Sequence, residues 1–281
     1  MPSTSLDPVL VTGCSSGIGR ASADLLVKAG HTVYATARRT ETLAELEAAG
    51  ARVLALDVTS EDSMAAAVEH IEAEHGRVGT LVNNAGYGEY GTIEEADLDR
   101  VRKMFETNVF GLARLTQLVL PGMRRAHRGR IINIGSMGGR MTFPVGGYYH
   151  ATKYAVEAIS DALRNEVRRF GIDVVLIEPG MTRTGFEDNV HSSVANGAGT
   201  QADSPYAELL ASNAANTSGG YSNPLMATGP ESVARVVLKA LESEHPRSRY
   251  LLTPVAKAMV TARTLGGDRV WDTLVKQQFK I

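Results

Sequence analysis

Tyr149 and Lys153 stand four residues apart in YHATK, at the head of a stretch whose apolar residues recur at helical spacing. Side chains at i and i+4 share a helical face, so the ammonium of Lys153 can lie near the phenol of Tyr149. A free tyrosine titrates near pH 10 and exchanges protons poorly at neutral pH. A fixed cation nearby favours the phenolate, which makes the phenol a general acid or base for an alcohol/ketone pair. The same spacing also arises as a solvated stripe on ordinary helices, so the pair takes its meaning from the rest of the chain. Tyr148 lies five residues from Lys153, about 140° round the helix, and falls off the lysine's face. It reads as a packing or pocket residue, and His150 as a structural one. The other histidines lack metal-ligand spacing, and no metal site is expected.

The elements that must hold this pair follow from the apolar pattern. Short apolar strands are predicted at 9–13, 33–36, 53–56, 78–82, 130–134, 174–177 and 250–252, with helical stretches between them. Ser60 and Asp62 offer N-cap chemistry to one of these helices. The alternation predicts an α/β fold with a parallel sheet buried between two layers of helices. Nothing in the pattern marks a domain boundary. Its one compositional break, 185–229, is rich in Ala, Ser, Asn, Gly and Thr and follows the carboxyl end of the sixth strand. Sheets of this kind bind ligands there, so the segment reads as a substrate lid, with a loose surface insertion as the alternative. Residues 254–281 read as a helical extension, able to cover an oligomer surface, the active site or a membrane surface.

Composition narrows the classes. The 281 residues are 43% hydrophobic and 21% charged with a formal net charge of -2, an ordinary globular balance that gives no electrostatic footprint for nucleic acid. The single cysteine, Cys14, permits no internal disulfide. No apolar run is long enough to span a bilayer, and MPSTSLDPVLVTG lacks the basic and apolar regions of a secretory signal. The expectation is a soluble cytoplasmic protein.

A glycine-rich turn, TGCSSGIG, closes the first strand and opens a helix. Glycine lets backbone approach a pyrophosphate, and the free N–H groups of a helix start favour its charge. The spacing is GxxxGxG rather than the usual GxGxxG. Taken in order, TGCSSGIG, then NNAG ending at Gly86, then Asn108, Ser136, Tyr149 and Lys153, then Pro179-Gly180, the chain resembles the short-chain dehydrogenase/reductase family from Val9 to Thr184. The stretch from the start of the chain through TRTGF is also similar to its steroid- and retinoid-type members.

That resemblance implies a single Rossmann-type domain, a doubly wound sheet of about seven strands, and a set of roles. Tyr149 would be the proton donor or acceptor. Lys153 would lower its pKa and bind the nicotinamide ribose. Ser136 would hydrogen-bond the substrate oxygen, an arrangement that stabilises developing negative charge. Asn108 would anchor a water in a proton relay from Lys153. On residues alone, Ser136 could be a turn former and Asn108 the cap of a helix beginning near Val109. The cofactor would be cradled by Gly13, Ser15, Ser16, Gly17, Ile18 and Gly19. Asp57 and Val58 would flank the adenine. Asn84, Ala85 and Gly86 would line the cofactor and brace the sheet. Thr184 and the backbone near Thr182 would hold the carboxamide, and Pro179 and Gly180 would also contact the cofactor. The second strand ends at Ala37, where an acid would select NAD(H), and Arg38 follows. Guanidinium groups suit phosphate, so NADP(H) is preferred with NAD(H) the alternative.

The expected reaction is reversible reduction of a ketone to a secondary alcohol. Met137, Met141, Phe143, Val145 and Tyr148, with Phe186 of the lid, predict a mainly hydrophobic pocket. The substrate is a medium-sized lipophilic carbonyl or alcohol, with steroid, retinoid, polyketide and acyl types open. A regulatory protein sensing NADP(H) on the same fold is the alternative function. A nucleotide-sugar epimerase or dehydratase fits less well, since its glycine loop and large carboxyl-terminal domain are missing. By resemblance, helices starting near Asn108 and Tyr154 would pair between subunits, implying a homodimer or homotetramer.

Overall fold

Strands that are apolar on both faces can be stable only where helices cover both sides, and the central strands of this chain are of that kind. The computed structural model describes residues 7–184 and 204–279. In chain order, the strands of the main sheet are β1 (Val9–Val11), β2 (Val33–Ala37), β3 (Arg52–Ala55), β4 (Thr80–Asn83), β5 (Gly129–Ile134) and β6 (Ile172–Glu178). Two short strands, β7 (Met181–Thr182) and β8 (Ala227–Thr228), pair separately, and β9 (Arg249–Leu251) returns to the main sheet. The main sheet has seven strands in the order β3-β2-β1-β4-β5-β6-β9, all parallel. The order reverses between β1 and β4, which makes the carboxyl ends of those strands the switch point where such sheets open a crevice.

The α-helices among the described residues are α1 (Gly17–Lys28), α2 (Ala44–Ala48), α3 (Glu61–His75), α4 (Leu98–Phe105), α5 (Leu112–Arg125), α6 (Gly147–Val167), α7 (Ala207–Ser222), α8 (Pro230–Glu242) and α9 (Pro254–Phe279), the last broken by a kink at Gly267. On one face of the sheet, Leu26 of α1 and Val237 of α8 pack with Val82 and Ile132. On the other, Ile71, Val119 and Leu163 of α3, α5 and α6 pack with Leu10, Leu81 and Ile131. The expected cap is present, as the Ser60 hydroxyl accepts from the backbone N–H of Ser63 at 3.4 Å.

Two elements differ from the sequence reading. No helix begins near Val109. Instead α4 runs through a π-helical turn, Glu106–Gly111, directly into α5, so Asn108 is buried inside a continuous helix and is not its cap. The segment read as a lid, with a loose insertion as the alternative, holds a helix and a strand in its described part, 204–229: α7 and β8. α7 buries only Leu210, Asn213, Gly220 and Tyr221 among many small polar residues, too sparse a set to give an apolar period.

Cys14 packs in the core beneath the glycine turn and is fully buried. Burial pushes its thiol up to about 12, and a thiol that stays protonated is a poor nucleophile. Native protein is therefore expected to give no reaction with a thiol reagent at neutral pH, and one equivalent after denaturation. Prompt labelling of the native fold would contradict this placement.

Candidate active site

Polar bonds in the middle of the sheet fix the elements that carry the site. Asn83 on β4 donates to Thr116 Oγ1 on α5 and to Asn133 Oδ1 on β5, both at 3.0 Å. Asn133 in turn donates to Ser160 Oγ on α6 at 2.9 Å. Buried polar groups must be satisfied, so this chain of amides and hydroxyls permits only one register between α5, α6 and the sheet. At the strand ends, the Thr12 hydroxyl accepts from the backbone N–H groups of Asn84 and Ala85, both at 3.0 Å. The Asn84 side chain donates back to the Thr12 and Gly13 carbonyls at 2.8 and 3.1 Å. The two turns flanking the switch point are thereby latched together. This bracing role of Asn84 was expected; Thr12 was not singled out for it.

Here a cavity of about 1200 Å³ opens. Of the expected cofactor residues, Gly13, Ser15, Ser16, Gly17, Ile18, Arg38, Asp57, Val58, Asn84, Ala85, Gly86, Pro179, Gly180, Thr182 and Thr184 line it, as do Ser136, Met137, Phe143, Tyr149 and Lys153. The fit to a dinucleotide rests on the glycine turn. A Cβ at Gly13, which has φ +71, would stand 2.9 Å from Ala85 Cα, and one at Gly17, with φ +58, would press on the Thr184 side chain. Both positions thus need glycine, and they bring bare backbone to the cavity wall. No side chain caps the α1 N-terminus, so its first N–H groups remain available to an anion. Gly19 does not line the cavity. A Cβ there would meet the Gly13 carbonyl oxygen at 2.3 Å, so its function is close packing of α1 on the turn.

At the other end, Ser136 follows β5 and Tyr149 and Lys153 open α6. The turn before α6 holds Val145 at φ 69, a left-handed conformation that is strained for a β-branched residue. Its carbonyl accepts from the Gly91 N–H at 2.7 Å. Lys153 Nζ donates to the Ile134 carbonyl at 3.0 Å and lies 6.0 Å from the centre of the Tyr149 ring. The pair therefore does share a face, but lysine is not what governs the phenol. Burial pushes Tyr149 up to about 12, and a hydrogen bond with Ser136 opposes it. Burial likewise pushes Lys153 down to about 8, against the nearby Glu157 carboxylate. Tyr149 is packed against Tyr90, with ring centres 5.4 Å apart, and this shielding was not foreseen. His150 is buried, holds the Gly138 carbonyl through Nδ1 at 3.0 Å, and is pushed down to about 4 by burial. A neutral, bonded histidine fits the structural reading.

Asn108 sits behind the cavity rather than in its wall. Its amide donates to the Tyr87 carbonyl at 2.7 Å and to Thr152 Oγ1 at 3.2 Å, and its Oδ1 accepts from Tyr87 N–H at 3.0 Å. With both amide protons engaged, a relay water at Asn108 would have to rest on the main chain of the π turn. Met141 and Val145 are core residues, and neither they nor Tyr148 reach the cavity. Phe186 lies outside the described residues. The apolar wall is completed instead by residues from the tail. Met259, Gln278 and Phe279 of α9 line the cavity. Trp271 donates to the Thr142 carbonyl at 3.1 Å and packs on Phe143 at 5.3 Å between ring centres. Among the surfaces the tail could have covered, it covers this one.

A doubly wound parallel sheet with a glycine turn at its switch point, and serine, tyrosine and lysine gathered at the neighbouring strand end, defines an oxidoreductase of the nucleotide-binding α/β class. The family profile described as short chain dehydrogenase matches residues 7–195, and the chain belongs to that family. It is 45% identical over 190 residues to a 3-ketodihydrosphingosine reductase of Bacteroides thetaiotaomicron, covering 67% of this chain and 69% of that one. It is 33% identical to an NADPH-dependent 3-dehydrocapnine reductase of Ornithobacterium rhinotracheale, covering 96% of both. Among solved structures, a short-chain dehydrogenase from Streptomyces avermitilis is similar with a TM-score of 0.79 at 36% identity, covering 95% of this chain and 94% of that one. Among the described residues no helix is long and apolar enough to cross a membrane.

Proposed function

We propose that this protein is an NADP(H)-dependent oxidoreductase that interconverts a ketone and a secondary alcohol on a medium-sized hydrophobic substrate. The observation that carries the reading is one cavity with a glycine cradle at one end and Ser136, Tyr149 and Lys153 at the other. When bound, the nicotinamide supplies or accepts the hydride. The chain does the rest. A phenol pushed up to about 12 keeps its proton until negative charge develops on a carbonyl oxygen, which suits a donor in ketone reduction. Ser136 steadies that oxygen, and the Lys153 cation stabilises the phenolate left behind. Arg38 at the cavity rim, with Ala37 in place of an acid, favours a 2′-phosphate. One relative carries NADPH dependence in its name, and the names of both describe reduction at a 3-keto or 3-dehydro position. Met137, Phe143, Met259 and Phe279 supply the hydrophobic wall. By this reading α7 and β8, the described part of the segment read as a lid, form the lid together with α9. Exposed Phe110 and Tyr154, 56% and 40% accessible, support pairing between subunits.

The test is oxidation of NADPH, followed by absorbance, with a panel of lipophilic ketones, measured across pH. Lys153 loses its charge as pH rises through about 8. Reduction is therefore expected to be fast at neutral pH, with kcat/KM dropping roughly tenfold per pH unit on the alkaline side. A profile that stays flat far into alkali would remove Lys153 from the mechanism, and no turnover with any ketone would reject the reading.

A further inference from the structure

Four rings lead along the cavity wall from the phenol to the last turn of the tail. Tyr149 lies 5.8 Å from His150, His150 lies 6.0 Å from Phe143, and Phe143 lies 6.0 Å from Phe279, between ring centres. All four residues line the cavity. Phe279 is held from two sides. α9 breaks at Gly267, with φ 65 and ψ -166, a conformation essentially restricted to glycine. Past the break, Trp271, Val275 and Phe279 recur every four residues and share a face. Trp271 and Val275 belong to one apolar cluster with Phe143 and Met259. The second hold comes from α7. The last carbonyls of a helix have no partner within it, and here side chains of α7 supply donors. Ser212 Oγ donates to the Phe279 carbonyl and Asn216 Nδ2 to the Gln278 carbonyl, both at 3.0 Å. Phe279 is only 4% accessible, so most of its ring is spent on packing and a small part meets the cavity. A side chain fixed in this way fills space that a longer ligand would need.

We propose that Phe279 is a specificity-determining residue that sets the length of the apolar chain a substrate can carry between its carbonyl and the tail. This inference rests on the reductase reading and narrows its substrate class to ketones and alcohols with an apolar chain of limited length, ending against Phe279. The limit is sharp for a physical reason. Each methylene that fits leaves water for an apolar wall and gains affinity. The first that does not fit must displace a ring packed on Phe143 and tied to α7, and close-packed interiors yield little to added volume. Truncating the ring would add its space to the cavity, and enlarging it would take space away.

The experiment runs a series of straight-chain methyl ketones of increasing length. Binding is measured by calorimetry on protein loaded with NADP⁺, and turnover with NADPH. In wild type, affinity and kcat/KM are expected to rise about fourfold per added methylene and then to fall at one length, roughly 10–100-fold below the trend. Phe279→Ala should move that fall to a longer ketone, so that the first one past the wild-type limit regains the same factor relative to the shortest. Phe279→Trp should move it to a shorter ketone. General damage to the tail would instead weaken every ketone alike. Ser212→Ala releases the Phe279 carbonyl and should soften the fall, and it serves if a Phe279 variant folds poorly. A limit in binding that moves with Phe279, with no turnover of any ketone, would uphold this inference and reject the reductase reading. Turnover without a length limit in wild type, or a limit at the same carbon in Phe279→Ala, would overturn the inference and leave that reading standing. Failure of every ketone to bind would overturn both.

Discussion

Replacing Tyr149 by phenylalanine is expected to leave NADPH affinity within about twofold and to cut ketone reduction by roughly 10²–10⁴-fold, the span of a lost general acid. The split follows from where the phenol stands. The cofactor cradle is built from glycine backbone, the α1 N-terminus and the latched turns at Thr12 and Asn84, none of which the hydroxyl touches. The ring itself packs on Tyr90 and stays within reach of Lys153, and phenylalanine preserves both contacts. Only the proton and the bond with Ser136 are removed. The loss should therefore fall on kcat with KM little changed, as expected for a group that acts in the transition state. Fluorescence titration with NADPH and steady-state kinetics together measure it. Turnover near the wild-type level would require another donor, and His150, which burial keeps neutral and whose Nδ1 contacts the Gly138 carbonyl, is poorly placed to be one.

What the sequence revealed of this site, and what it hid, divides along a physical line. The helix-face relation of Tyr149 and Lys153, the glycine turn and the strand–helix alternation that makes a parallel sheet are local or periodic properties, and each is present in the fold. The environment of the phenol is not local. Burial, with Tyr90 packed on the ring, raises its proton affinity and the Ser136 bond opposes that, so the balance could not be read from a four-residue spacing. The alternative of Asn108 as a helix cap failed because a π turn inserts into a helix without changing the apolar pattern around it. The helix α7 escaped notice because its buried face is small and polar, with Asn213 and Gly220 where an amphipathic helix would place leucines. The tail left three destinations open, and Trp271, Phe143 and the backbone of Thr142 chose one through contacts between segments far apart in sequence.

A paired change at the end of β2, Ala37→Asp with Arg38→Leu, is expected to reverse the cofactor preference, swinging the ratio of kcat/KM for NADPH over NADH by roughly 10³-fold. Two effects combine. A charge-assisted bond between guanidinium and phosphate is worth about 1.5–3 kcal/mol, so its removal costs NADPH roughly one to two powers of ten. An aspartate at the strand end then repels the 2′-phosphate and accepts a hydrogen bond from the 2′-hydroxyl of NADH, and supplies the remainder. Both residues line the cavity, Ala37 as the last residue of β2 and Arg38 exposed at the rim, so the new carboxylate would face the cofactor. The rest of the cradle is shared by the two nucleotides and is untouched, so the variant should keep its maximal turnover with NADH. Kinetics with each cofactor on one ketone would decide the matter. An unchanged ratio would mean that Arg38 only solvates the start of the next helical turn and that the preference is set elsewhere in the loop. A loss of both activities together would point to a damaged strand end, which a thermal melt would reveal.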